Sequence, residues 1–300
     1  NTECLKFLTY NIEGLSKLRG SDVLDYIEDF HFVTLVETFT ETVPDDLFPE
    51  FKVFVAPGLR FSQTANRLSG GTVMLVKKEL THFVHQIHVE FDNMIVLCVS
   101  KKLLGTELDV FLIGVYIPPV DSPYYKDTEI YNGISMLEDC LLELHRLKGD
   151  CLSIVMGDLN ARTACGNVTE NDSLLEDGNF DYLENAYVFA SEKQVQFCRS
   201  SADGTVNPFG RYLLQVCDEF DIFIANGLCH SESFSKDFTY ISNTGSSVID
   251  YFILSKSLFN LCKSLEVKSF IDSKHMPVEL AVDSSPGTIC LPKSSPRGYK

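Results

Sequence analysis

Ile154-Val155-Met156-Gly157-Asp158-Leu159-Asn160-Ala161-Arg162 is an apolar run that stops at a carboxylate and a carboxamide two residues apart. The residues through Met156 predict a buried strand, Gly157 lets the backbone turn or approach a ligand closely, and the i, i+2 spacing aims Asp158 and Asn160 from one face. One acceptor and one donor are thereby expected to converge at a strand end. A strand that ends in Asp before a polar loop is also ordinary turn chemistry, so the weight of this stretch rests on the company it keeps.

Seven other segments put a polar residue at the end of an apolar run. Phe7-Leu8-Thr9-Tyr10-Asn11 carries Asn11 after the opening strand, and Val33-Thr34-Leu35-Val36-Glu37 leaves Glu37 at a strand terminus. In Val115-Tyr116-Ile117-Pro118-Pro119 the paired prolines end the ladder just after Tyr116. Phe238 to Ser242 is a short strand centred on Thr239 and Tyr240, and Ser247 to Leu254 buries Asp250 inside an apolar strand. Ser273-Lys274-His275-Met276-Pro277 places His275 before the last strand-like run, and Asn207 to Leu214, continuing to Ala225-Asn226-Gly227, reads as a helix feeding a strand.

In this order the segments resemble the endonuclease/exonuclease/phosphatase superfamily, and most of all the endonuclease domain of LINE-type non-LTR retrotransposons. The resemblance runs from about Leu5 to about Leu280. It implies an α/β fold in four layers, α/β/β/α, with two packed mixed sheets flanked by helices, and a DNA-nicking activity that leaves a 3′-hydroxyl.

Phosphodiester cleavage needs a hard cation, an aimed water and donors for the phosphoryl oxygens. Glu37 suits Mg²⁺ (or Mn²⁺), which takes one or two carboxylates and keeps several waters, and the resemblance assigns it that role. Asp158 is expected to orient and activate the water, with Asn160 and Asn11 keeping the site polar and hydrogen-bonded. Tyr116 and Thr239 are candidate donors to phosphate oxygens, and His275 to the scissile phosphate. By family position, Asp250 supports the metal or its network. Singly, each has a bland rival: Glu37 and Asp250 as strand-end acids, Tyr116 as an amphipathic core tyrosine, Asn11 as a turn or cap residue, and His275 as a structural histidine.

The family motif Ser-Asp-His reads Ser273-Lys274-His275 here. The resemblance gives the Asp the task of orienting the His and favouring its charged form, so a cation in its place predicts impaired activity. Asp272 is a candidate substitute if the backbone stays extended. If the Lys274 ammonium points into the Glu37, Asp158 and Asp250 cluster, it pairs the acids internally and opposes metal binding. If it snorkels to solvent, it leaves His275 loosely held.

Three hundred residues with 45% hydrophobic content suffice for one large core. Residues 1–282 read as one domain and 283–300, rich in Pro and Ser, as a disordered tail or linker. The absence of an initial Met suggests an excised piece. Strands are expected near 5–10, 33–37, 51–55, 71–77, 94–100, 109–117, 152–157, 222–226, 237–241, 247–254, 265–271 and 276–281. Helices are expected near 20–30, 128–147 and 209–219, the second from the stripe Ile130, Ile134, Leu137, Leu141, Leu144 and Leu147. Residues 160–205, the least regular part, with acids, Asn and Ser around Tyr182 to Phe189, read as loop plus a short helix covering the rim of the site.

The ten cysteines form no C-x-x-C pair, which argues against a zinc site and for reduced thiols in the nucleus or cytoplasm. Sequons at Asn167 and Asn171 follow no secretory signal, and no apolar run reaches membrane-spanning length. The net charge of −17 opposes DNA binding unless a local basic rim offsets it; Arg60, Arg67, Lys77, Lys78 and Arg162 are candidates. A monomer acting on DNA is the leading expectation. A non-catalytic protein-binding module and a phosphatase for a small phosphorylated substrate are the alternatives.

Overall fold

The computed structural model describes residues 4–19, 22–60, 67–126, 132–166, 198–228, 233–269 and 273–285. One six-stranded sheet is built from β1 (Cys4–Asn11), β2 (Phe32–Val36), β3 (Phe51–Ala56), β4 (Thr72–Lys77), β13 (Cys262–Val267) and β14 (Val278–Asp283). Its strand order is β13-β14-β1-β2-β4-β3. The other contains β5 (Val84–Ile87), β6 (Met94–Val99), β7 (Val110–Tyr116), β8 (Leu152–Asp158), β9 (Ile222–Ile224) and β12 (Asp250–Ser255). These run in the order β5-β6-β7-β8-β12-β9. A small hairpin, β10 (Tyr240–Ser242) with β11 (Gly245–Ser247), stands apart from both.

Alternating side chains explain why the sheets pair. Along β1, Leu5 and Phe7 join a core shared with Met74, Leu97, Leu112, Ile154 and Phe252, which lies between the sheets. Leu8 and Tyr10 point the other way, into a second cluster with Val23 and Ile27 of helix α1 (Asp22–Ile27). The outer face of the second sheet packs Val96, Ile113, Val155 and Ile253 against two further helices, after the single turn α2 (Lys101–Leu104). These are α3 (Gly133–Lys148) and α4 (Pro208–Glu219). The result is the expected α/β/β/α sandwich. At roughly 25 cal/mol per Å² of apolar surface buried, these three clusters are the main stabilising contribution.

Local chemistry sets the boundaries. Asn132 caps α3 through its Oδ1, which accepts from the Ile134 amide at 3.0 Å, so the helix begins there, and Gly149 ends it. Asn207 caps α4, where Pro208 occupies the first turn. The anticipated strand at 247–254 is two elements: β11 stops at Ser247, and β12 begins at Asp250. Asp250 is therefore a strand-opening residue and not an interior one. Edge strand β5, only four residues long, gave too short a pattern to anticipate. The fold continues past the expected boundary at 283: Asp283 pairs with Cys4, and the Ser285 amide donates to Leu103. The segment near Tyr182 to Phe189, both sequons, Asp272 and residues 286–300 lie outside the described residues. Among the described residues no helix is long and apolar enough to cross a membrane.

His31 gives the fold a pH dependence. Its Nδ1 accepts from the Lys6 amide at 3.0 Å, which requires a neutral ring, and it is only 9% exposed. Burial, with Lys6 and Lys77 nearby, pushes its pKa down to about 4. The unfolded ring titrates near 6.5, so the unfolded chain binds the extra proton between those values. The stability is therefore present above pH 6.5 and is lost as pH falls through 4. Its size is about 3 kcal/mol, from about 1.4 kcal/mol per pH unit. Urea unfolding at pH 7 and pH 4.5 is expected to show His31→Gln losing less stability on acidification than the unsubstituted chain; equal losses contradict the assignment.

Candidate active site

Strand register brings the predicted acids together. β8 lies between β7 and β12, and Asp158 is paired with Tyr116 on one side and Asp250 on the other. On the facing sheet, β1 and β2 run parallel with Asn11 beside Val36, so Glu37 emerges next to Asn11. His275 precedes β14, whose Val278 pairs with Thr9. The ends of both sheets thus deliver one cluster. Gly157 permits it: it has φ +155°, and a β-carbon there would sit 1.8 Å from the Val115 carbonyl oxygen.

The hydrogen bonds define the cluster. Asn11 Nδ2 donates to Asp158 Oδ2 at 2.9 Å, and His275 Nε2 faces that same oxygen at 3.9 Å. His275 Nδ1 lies 3.0 Å and 3.2 Å from the two Asp250 oxygens. Asp158 and Asp250 are each 1% exposed and His275 is 6% exposed. Burial acts against an imidazolium, but Asp250, Asp158 and Glu37 raise the His275 pKa to about 9. Burial and the Asp250 and Glu37 charges hold Asp158 well above the usual carboxylate range, against the pull of His275 and Asn11. Burial, Glu37 and Asp158 likewise push the Tyr116 hydroxyl up, and it hydrogen-bonds to Glu37.

Several sequence expectations are corrected by these contacts. The acid that orients His275 is Asp250, not a residue at position 274. The Lys274 side chain is 59% exposed, with Nζ 3.8 Å from Glu13 Oε1, so it does not enter the acid cluster. His275 is nevertheless held firmly, because Ser273 Oγ accepts its amide and the Tyr240 ring packs edge-on at 4.8 Å. Thr239 is fully buried, and its Oγ1 accepts from the Ile249 and Asp250 amides at 3.0 Å each. Its place is behind Asp250 and not against a phosphate. Ser273 donates to the Asn11 carbonyl, tying the two loops.

Asn160 also differs from expectation. It has φ 49°, so the strand alternation breaks before it, and its Nδ2 donates to the Ile117 carbonyl at 2.9 Å. Its amide donates to Asp158 Oδ1 at 3.0 Å. Asn160 therefore closes a turn around Asp158, and the two side chains do not converge on one point.

Sequence reasoning missed Asp203 and Arg199, and named Arg162, Asn207 and Asn226 without the bracing role they have. Asp203 accepts from Arg162 Nε and Nη2, at 2.8 Å and 2.6 Å, and from the Val248 amide, joining the loop after Asp158 to the approach to Asp250. Arg162 is thereby spent inside the fold and is not a rim cation. Asn207 Nδ2 donates to the Asn160 carbonyl, and Asn226 Nδ2 to the Asp250 carbonyl. Arg199, 2% exposed, donates to the Asn226, Ala164 and Gly166 carbonyls and to Thr163. The available signal was the run of Arg199, Asp203 and Asn207 between two functional segments.

Residues 8–272 match the model of the Endonuclease/Exonuclease/phosphatase family. The chain belongs to that family. AP endonuclease LMAP from Leishmania major has a similar structure, with a TM-score of 0.61 at 14% identity, covering 93% of this chain and 88% of that one. The endonuclease domain of TRAS1, a telomere-specific non-LTR retrotransposon, is similar with a TM-score of 0.55 at 14% identity. That alignment covers 94% of this chain and 99% of the TRAS1 domain. At these identities the likeness is one of fold. No curated protein matches in sequence.

The residues fit the divalent metal on which this family generally depends. Asp158, Asp250 and His275 place ligating atoms within 4.8 Å of one another. Glu37 is not one of that group but, hydrogen-bonded to Tyr116, lies near enough for its charge to raise the His275 pKa, so the donor set carries excess negative charge. Asp250 spends both oxygens on His275, which leaves Glu37 as the more accessible carboxylate. Glu37 sits in the left-handed region at φ 52°, a backbone cost of about 1–3 kcal/mol that turns it out of β2 at the site.

Proposed function

We propose that this chain is a Mg²⁺-dependent phosphodiesterase that nicks DNA and leaves a 3′-hydroxyl. The observation that carries the reading is the continuous chain of contacts from Asn11 through Asp158 and His275 to Asp250, at the common edge of the two sheets. Asp158 is buried and poorly stabilised as an anion, which makes it a strong acceptor for the proton of an attacking water. The His275 imidazolium has one N–H engaged by Asp250 and the other facing the Asp158 side of the cluster, available to a phosphoryl oxygen. Glu37 would hold the metal, with Asp158 beside it. The metal, when bound, supplies charge stabilisation for the phosphoryl oxygens.

The expected impairment rested on a His275 deprived of its orienting acid. Asp250 supplies that acid, so the reading favoured here is an active nuclease. The protein-binding alternative thereby loses the support it drew from Lys274 and keeps only that of the −17 net charge, and nothing at the site favours a small phosphorylated substrate. The eight described cysteines are all free thiols, in keeping with action in the nucleus or cytoplasm. Supercoiled plasmid incubated with Mg²⁺ should become open-circular, and a DNA polymerase should extend the nicks without prior phosphatase treatment. Closed plasmid, or blocked 3′ ends, counts against the proposal.

A further inference from the structure

The −17 net charge raises the question of what grips DNA beside this site. The sheet register disposes of two candidates. β4 meets β2 with Thr72 opposite Val36 at the site end, so Lys77 and Lys78 lie at the opposite end, with the Lys77 ammonium over the Phe51 ring. Arg162 is bound to Asp203. Arg67 is different, because the chain that follows it, Gly70 and Gly71, bonds to Phe39 and Thr38, directly after Glu37.

Phe39 has φ 52°, a left-handed conformation that is an outlier for a bulky residue. The strain is not explained by burial, since the ring remains partly exposed. It holds the ring beside the Asn11–Leu15 turn, where a β-carbon on Gly14 would lie 3.5 Å from Phe39 Cδ2. The Arg67 guanidinium sits 4.0 Å from the ring centroid. A guanidinium stacked in this way is pre-organised while its N–H edges stay available, unlike a freely rotating surface arginine.

The same turn carries a second cationic element. Glu13 Oε2 accepts from the Lys274 amide at 3.2 Å and from Lys17 Nζ at 3.5 Å. Both ammonium groups stand at its carboxylate with side chains 59% and 42% exposed. Lys274 immediately precedes His275, so this pair borders the site, and Phe39 with Arg67 borders the same turn.

We propose that Arg67, stacked on Phe39, and Lys274, braced with Lys17 on Glu13, form a cationic rim that contacts DNA backbone phosphates flanking the scissile one. The proposal rests on the nuclease reading for its choice of DNA as ligand. Lys274 is then a substrate-contacting residue, and the loss of an acid at that position becomes a gain of phosphate affinity. Phosphate contacts release counterions, so their number is read from salt dependence: the slope of log K against log salt changes by about 0.9 for each contact to B-DNA.

The test is fluorescence anisotropy of a labelled DNA duplex with the full chain, in EDTA to prevent cutting, over a range of salt. Arg67→Ala and Lys274→Ala should each flatten the slope by about 0.9, and the double variant by about 1.8. Phe39→Leu should weaken binding in the direction of Arg67→Ala, whereas Lys148→Ala, at the end of α3, should leave the slope unchanged. Unaltered slopes in both rim variants, an equal loss in Lys148→Ala, or no salt-dependent binding by the unsubstituted chain overturns the rim. If plasmid is nicked but the slopes do not move, the rim alone fails. Flattened slopes without nicking leave the rim standing and reject the nuclease reading.

Discussion

Asp158→Asn is expected to lower plasmid nicking by about three to four orders of magnitude, the upper range for removal of a positioned general base. The substitution keeps the shape of the side chain but only one of its two acceptors: Asp158 Oδ2 accepts from Asn11 Nδ2 and Oδ1 from the Asn160 amide, and a carboxamide turns its NH2 toward one of those donors. What it removes is a proton acceptor that burial and the Asp250 charge make unusually basic. The same environment disfavours the ionised carboxylate in the folded state, which offsets the lost hydrogen bond, so the stability of the variant near neutral pH should lie close to that of the unsubstituted chain. Loss of activity without loss of thermal stability separates a chemical role from a packing one. Nicking that survives the change would place the activity elsewhere.

Asp250→Asn is expected to be nearly as damaging, through His275. Where neutralising the acid behind a catalytic histidine has been measured in serine proteases, the cost is about four orders of magnitude; that figure sets the scale here, although the chemistry differs. Burial alone pushes the His275 pKa down, and Asp250 is the largest influence holding it at about 9. With an amide in its place, the imidazole keeps only the Asp158 and Glu37 charges against its burial and should titrate well below about 9. The sign follows: above that new pKa the ring is neutral, keeps a single N–H and no longer brings a positive charge to the phosphate, so residual activity should shift to lower pH. The His275 ring proton resonances, followed by NMR through a pH titration, give the readout independent of catalysis. An unshifted titration would separate Asp250 from the histidine despite their 3.0 Å contact.

The fold and most of the site were legible in the sequence, for a physical reason. Strand ends are where a continuous apolar run, buried on both faces in β2, β7 and β8, meets a polar residue, and Asn11, Glu37, Tyr116, Asp158, Asp250 and His275 all stand at or beside such ends. The ordering of those breaks carried the family resemblance, and the resemblance implied the sandwich. What could not be read was which group faces which. Asp250 and His275 are separated by 25 residues, and only the pairing of β12 with β8 and of β14 with β1 brings them into contact. The outward course of Lys274 depends on the left-handed Glu13, φ 47°, whose carboxylate accepts the Lys274 amide. Thr239 and Asn160 misled for a related reason: a hydroxyl or carboxamide beside a catalytic acid serves the backbone as readily as the substrate. The braces at Asp203, Asn207 and Arg199 carry no periodic signal, because loop hydrogen bonds have none.

A lysine at position 274 is expected to leave a complete site, since Asp250 and not residue 274 holds His275. Supercoiled-plasmid nicking with Mg²⁺, comparing the unsubstituted chain with Lys274→Asp, tests it most directly. The unsubstituted chain should nick, at a rate within about tenfold of Lys274→Asp, a difference of about 1.4 kcal/mol in barrier. A silent unsubstituted chain beside a strongly active Lys274→Asp would contradict it and make residue 274 a required member of the site.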